Sequence, residues 1–282
     1  VADTAQPTVT PPDSPPSGGP PRRYLGRAAF AVALVLTGVV LVLTIGVRNP
    51  KEPAAPPPVQ PALAIPEQRP QPGAESPRAG LAAPVDRPQV SDQAELDAWA
   101  ARVADKTHIP ARVVSAYGRA EMWMQRQKAT CHLSWATLAG IGRVEAERGK
   151  FDLAAIRPDG RVVMPVVGPP LDGSPGVPAV HDTDGGKLDG DKSWDHLIGP
   201  LQFPPSTWKK YQERANGDGG TPDPQNVDDA AFTAARYLCS GGDDLGTPAG
   251  WWRAVLFYNS AVTYGQDIFS AADAYAEVSV AP

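Results

Sequence analysis

In the run WATLAGIGRVEAERG, Glu145 falls four residues after Ile141 and seven after Leu138. At 3.6 residues per turn the three share one helix face. A carboxyl in line with an apolar stripe is either a boundary charge paired with Arg143 or Arg148, or a working acid. Burial disfavours the ionised form, so on that face the carboxyl stays protonated toward neutrality and can donate as a general acid. Glu147 lies about 200° round the helix at 100° per residue and is expected to face water. Other reactive groups are sparse. Four histidines without HExxH spacing offer no zinc site. Cys131 and His132 are adjacent, and neighbours on a chain do not normally present a nucleophile to its base. The stretch from Asp182 to Asp191 puts carboxylates at relative positions 1, 3, 8 and 10, which misses the EF-hand pattern. It reads as a Gly/Asp turn cluster, and neither metal nor cofactor is expected.

The elements that must hold Glu145 carry helix punctuation. Ser134 is a predicted N-cap for the Glu145 helix, which Gly149 can end. Asp92 and Glu95 make a capping box, and Pro110 opens a second helix through ARVVSAYGRAEMWMQRQ. Asn226 precedes VDDAAFTAARYL with acids in its first turn, Thr247-Pro248 starts AGWWRAVLFY, and a last helix covers 264–278. A small hairpin is expected around Arg161 to Val167, after the Pro-Asp-Gly turn. The domain, residues 91–282, is therefore α+β and predominantly α-helical.

The rest of the chain is of another kind. Of 33 prolines, 19 precede residue 89, and repeated proline removes backbone donors and fixes φ. Residues 28–47 are uncharged and apolar, matching the ~20 residues that span a hydrocarbon core. The expected order is a disordered cytoplasmic tail 1–27, a transmembrane helix 28–47 and a Pro-rich extracytoplasmic linker 48–90. A polyproline linker of that length reaches roughly 130 Å at about 3.1 Å per residue. Cell-membrane anchoring by a single pass, with the domain outside, follows from the flanking charges and the polar remainder. The tail is left to some cytoplasmic partner. Residues 92–282 carry 18 Lys+Arg against 25 Asp+Glu, so no nucleic acid is expected. Outside the cell oxidation is permitted, and Cys131 and Cys239, each at a helix boundary, are expected to form a disulfide.

Four ordered blocks, LAGIGRVEAERGKF, IGPLQFPPSTW, DPQNVDDAAFTAARYLC and GWWRAVLFYNSAVTY, cover most of residues 131–275. Together they resemble the lytic transglycosylases of the membrane-bound B type, in their actinobacterial form. The resemblance implies a lysozyme-like domain acting on peptidoglycan glycan strands. It maps the single catalytic acid to Glu145, with Gly149 four residues on. It matches Gly199, Gln202, Phe203, Pro205 and Ser206 to a Gly-x-x-Gln-Phe-x-Pro-Ser motif whose glutamine lines the saccharide groove. Ser193 corresponds to a serine that positions acid or substrate; Tyr237, Tyr258, Asn259 and Tyr264 correspond to groove and cleavage-subsite residues. The implied reaction is non-hydrolytic. Glu145 protonates the oxygen between N-acetylmuramic acid and N-acetylglucosamine, then takes the proton of the muramyl 6-hydroxyl as a 1,6-anhydro ring closes.

The chain departs from that pattern at Ala261, at Leu201 and in the run RANGDGG. In the last, Arg214 occupies the first ligand place of a loop where some relatives bind calcium, so calcium is not expected. Two other readings stand beside this one. A hydrolytic muramidase would draw its second carboxylate from Asp182, Asp184, Asp189 or Asp191. A non-catalytic peptidoglycan-binding module would use the domain only to localise the tail.

Overall fold

The computed structural model describes residues 62–78 and 93–280. The tail, the apolar run 28–47, linker residues 48–61 and 79–90, and Asp92 of the expected capping box lie outside those residues. Among the described residues, no helix is long and apolar enough to cross a membrane. The described residues hold seven α-helices: α1 (Gln93–Thr107), α2 (Ala111–Gln127), α3 (Trp135–Gly149), α4 (Pro205–Tyr211), α5 (Val227–Leu238), α6 (Pro248–Tyr258) and α7 (Val262–Val280). Two short strands, β1 (Val167–Pro170) and β2 (His196–Ile198), form an antiparallel sheet between α3 and α4.

Local chemistry sets most helix starts. Ser134 accepts from the Thr137 N–H, Asn226 from Asp228 and Thr247 from Gly250, each an N-cap satisfying a donor the helix cannot. The Glu145 helix ends at Gly149, but Lys150 rather than a glycine takes the left-handed cap conformation, at φ 51°. The hairpin expected near Arg161 reduces to one bridge, Ile156 to Val162, around the Pro158–Gly160 turn. The sheet pairs Val167 with Ile198 and Pro170 with His196, a long-range choice that local propensity does not encode.

The core is helical. α3 packs along α7 and against α2, and α2 lies between α1 and α5. Gly140 permits a close approach of the α3 and α7 backbones: a Cβ there would sit 2.9 Å from the Ile268 carbonyl oxygen on α7. Mid-helix glycine costs about 1 kcal/mol in propensity, and here it brings the helix bearing Glu145 against its main neighbour. Trp99 meets Trp135 edge-on at 5.6 Å, and the Trp251 indole N–H donates to Thr137 at 3.2 Å. Cys131 and Cys239 are bridged across a separation of 108 residues, joining the approach to α3 to the end of α5.

The compact unit begins at Gln60, earlier than the expected boundary at residue 91. Residues 62–78 form a strap along α7. Arg78 grips Asp273 with two side-chain bonds of 2.9 and 2.7 Å, and its own N–H donates to the same carboxylate. Gln68 exchanges backbone bonds with the Ser270 hydroxyl, the Trp252 indole donates to the Glu75 carbonyl, and Leu63 and Ile65 pack on the core. Arg78 holds the Asp273 carboxyl down at about 2. Asp273→Ala is expected to release the strap, read as about a tenfold faster proteolytic cut within 62–78, the scale of losing hydrogen bonds to a charged group. An unchanged cutting rate would mean the apolar and backbone contacts suffice.

Candidate active site

α3 is fixed at its start by two acceptors, the Ser134 hydroxyl and the carboxylate of Glu121 from α2, which accepts from the Trp135 N–H at 2.6 Å. Both hold the first turn. Near the other end Glu145 lies on the buried face with Leu138 and Ile141, and Glu147 faces solvent and pairs with Arg143. The plain pairing of Glu145 itself with Arg143 does not occur; the partner is the Tyr264 phenol, which donates to Glu145 Oε1 at 2.5 Å. Burial pushes the Glu145 carboxyl up to about 7, and the Tyr264 bond and the nearby Arg148 charge restrain that rise. Burial raises the Tyr264 phenol well above its ordinary range, so it stays a donor.

Gln202 sits in a corner at the far end of α3. Residues 198–203 form a tight turn closed by reciprocal bonds between Ile198 and Phe203, both 2.9 Å. Two residues of that turn have left-handed backbone, Gly199 at φ 74° and Gln202 at φ 49°. At Gly199 only glycine fits, because a Cβ would lie 1.9 Å from the Pro224 carbonyl oxygen. At Gln202 the conformation is uncommon for a side-chain-bearing residue and is held by a bond from its own Nε2 to the Gly199 carbonyl at 2.9 Å. The carboxamide is buried beside Gly149 of α3 and Gly168 of β1. Tyr258 anchors the same turn, donating to the Leu201 carbonyl at 2.6 Å, and its phenol is raised by burial and then by the charge of nearby Glu145.

The structure thus brings Glu145, Tyr264, Tyr258 and Gln202 together. Tyr237 stands behind Tyr258, ring centroids 5.5 Å apart, with its hydroxyl on the Phe257 carbonyl. Both phenols donate to backbone carbonyls, and both rings pack on the aromatic cluster around Phe203. Asn259 makes the turn between α6 and α7, accepting from the Ala261 N–H at 3.0 Å. Ser193 is exposed beyond the acidic loop, and among the described residues its hydroxyl makes no bond to Glu145.

The acidic loop is built as turns. Asp182 accepts the N–H groups of Asp184, Gly185 and Gly186; Asp184 those of Lys187 and Leu188; Asp189 those of Asp191 and His196; and Asp191 that of Ser193. Asp195, fully buried, clasps the Thr183 N–H and hydroxyl and closes the loop. At the other loop the Arg214 guanidinium lies between Asp218 and buried Asp229, at 2.8 and 2.7 Å, so a side-chain cation occupies the carboxylates there. Among the described residues no group of three His, Cys, Asp or Glu side chains is arranged to hold a metal ion.

Glu121 is the acid that sequence reasoning passed over. It follows Tyr117 by four residues on α2, so the same in-line criterion selects it, and burial pushes it too up to about 7. Its oxygen is spent on the start of α3, whereas Glu145 meets the tyrosines and the Gln202 corner. Comparison of the chain with family models, curated proteins and solved structures finds no match.

The Tyr264 bond favours the ionised carboxyl, so its loss raises the Glu145 pKa. Tyr264→Phe is expected to raise the Glu145 titration midpoint by about one pH unit, the scale of one bond to a charged group. A carboxyl NMR titration reads this directly; an unmoved midpoint would mean that the phenol does not stabilise the carboxylate.

Proposed function

We propose that the chain is a peptidoglycan lytic transglycosylase of lysozyme-like fold, anchored in the cell membrane by residues 28–47 with its domain outside. The observation that carries this reading is the setting of Glu145: one carboxyl buried on the helix face, which pushes it up to about 7, and hydrogen-bonded by the Tyr264 phenol, with Tyr258 and the Gln202 turn nearby. An acid whose pKa lies near the working pH can both give and take a proton. Glu145 donates its proton to the glycosidic oxygen as the bond from muramyl C1 breaks, and the substrate's acetamido group relieves the positive charge at C1. The ionised carboxyl then takes the proton of the 6-hydroxyl as O6 bonds to C1. Water is neither consumed nor released. Substrate-assisted glycosidases are the recognised exception to the two-carboxylate rule. The aspartates that hydrolysis would draw on serve backbone amides in their own loop. A disulfide in the domain agrees with an oxidising compartment.

Digestion of purified peptidoglycan by the full chain, with the products weighed, tests the reading. Anhydro ends one water lighter than reducing ends are expected. Reducing ends would make the protein a muramidase, and binding without products would make it a wall-binding module.

A further inference from the structure

Glu145 and Arg148 are three residues apart on α3, and Tyr264 and Asp267 are three residues apart on α7, so each pair lies along one helix face. Because α3 packs along α7, the two pairs meet. The Tyr264 phenol donates to Glu145, the Arg148 guanidinium carbon stands 4.8 Å from the centre of the Tyr264 ring, and Arg148 Nη2 lies 3.6 Å from Asp267. Asp267 is shared: its other oxygen accepts from Arg69 of the strap at 2.7 Å. A guanidinium over an aromatic face is attractive and directional, so Arg148 restrains the ring that carries the donor.

A basic residue in the last turn of a helix commonly serves only the helix dipole. Arg148 does more than that requires, since its side chain turns across to α7 and contacts a ring and a carboxylate there instead of a carbonyl of its own helix end. It is also 45% exposed, so the contact is not forced by core packing.

We propose that Arg148 is a positioning residue for Glu145, holding the Tyr264 donor in place and steadying the carboxyl in its ionised form, with Asp267 and strap residue Arg69 bracing it from outside. That an ionised carboxyl is needed midway through the reaction rests on the transglycosylase reading; the arrangement of the four side chains does not. Among the described residues, the charged and titratable groups facing Glu145 are Arg148 from α3, Tyr258 from α6 and Tyr264 from α7. Removing the one cation among them therefore has a defined sign.

The test is a carboxyl NMR titration of Glu145 in the full chain carrying 13C-labelled glutamate, without glycan, so its outcome is independent of whether the protein cleaves peptidoglycan. Arg148→Met keeps the apolar stem and is expected to raise the Glu145 midpoint by about half a pH unit, the scale of one partly solvated charge. Arg148→Lys, which restores charge but not the planar stack, is expected to recover part of that shift. In a Tyr264→Phe background the effect of Arg148→Met is expected to shrink, because part of it travels through the phenol. An unmoved midpoint overturns the proposal. So does an equal shift in both backgrounds, which would leave Arg148 a distant charge and nothing more.

Discussion

Glu145→Gln is expected to cut the release of soluble fragments from purified peptidoglycan by about 10³-fold, within the range that a positioned general acid contributes. Binding to the wall is expected to persist, since the amide keeps the shape of the side chain and its oxygen still accepts from Tyr264. The same substitution is expected to stabilise the fold at alkaline pH. The carboxyl is raised in the folded chain to about 7 from an ordinary value of 4.5. Its contribution to stability is therefore whole below about 4.5 and is lost as pH rises through about 7. A neutral amide escapes that loss, so the variant gains on the order of 3 kcal/mol over its parent at pH 8 and almost nothing at pH 4. Thermal unfolding at the two pH values reads the gain. Glu121→Gln, equally buried but committed to the start of α3, is the control and is expected to leave cleavage unchanged. Retained cleavage in Glu145→Gln would remove the assignment of the acid.

The second large effect is on the disulfide. Cys131 ends the 3₁₀ turn Ala129–Cys131, three residues ahead of the α3 N-cap Ser134, and Cys239 caps α5. Replacing both with alanine is expected to destabilise the domain by roughly 4 to 5 kcal/mol, because the bridge closes a loop of 108 residues that the unfolded chain otherwise explores. For a unit of this size that is a fall in Tm of roughly 10 to 20 °C. Comparing the double variant with the oxidised parent in a denaturant titration checks it. A difference below about 1 kcal/mol would mean that the loop ends already meet in the unfolded chain.

The proline excess led to a simple division into anchor, tether and domain, and the strap modifies it. Composition correctly reports that residues 62–78 have no helix or strand. It cannot report whether two arginines and two aliphatic side chains in an extended segment meet a partner. Arg69, Arg78, Leu63 and Ile65 find theirs on α7 and the core about 200 residues later in the chain, where Asp267 and Asp273 present carboxylates at the right spacing. The consequence is that residues 62–78, read from composition as linker, belong to the compact unit Gln60–Pro282.

What the sequence determined by itself was local or periodic. Ser134, Asn226 and Thr247 announce helix starts because a cap is a contract among three or four neighbouring residues. The 3.6-residue period placed Glu145 on the buried face of its helix and Glu147 on the wet one. Two cysteines leave one pairing within the chain. The tertiary structure decided everything that depends on which surfaces meet. It set β1 against β2 instead of a local hairpin. It delivered Tyr264, 119 residues away, to Glu145, and gave Glu121, an equally in-line carboxyl, a structural bond instead. It also folded Gln202 into a left-handed turn beside the end of α3. Periodicity can say that a side chain is buried. Only the packing of α3 against α7, α2 and the turn after β2 says what it is buried against, and that contact sets its pKa and its chemistry.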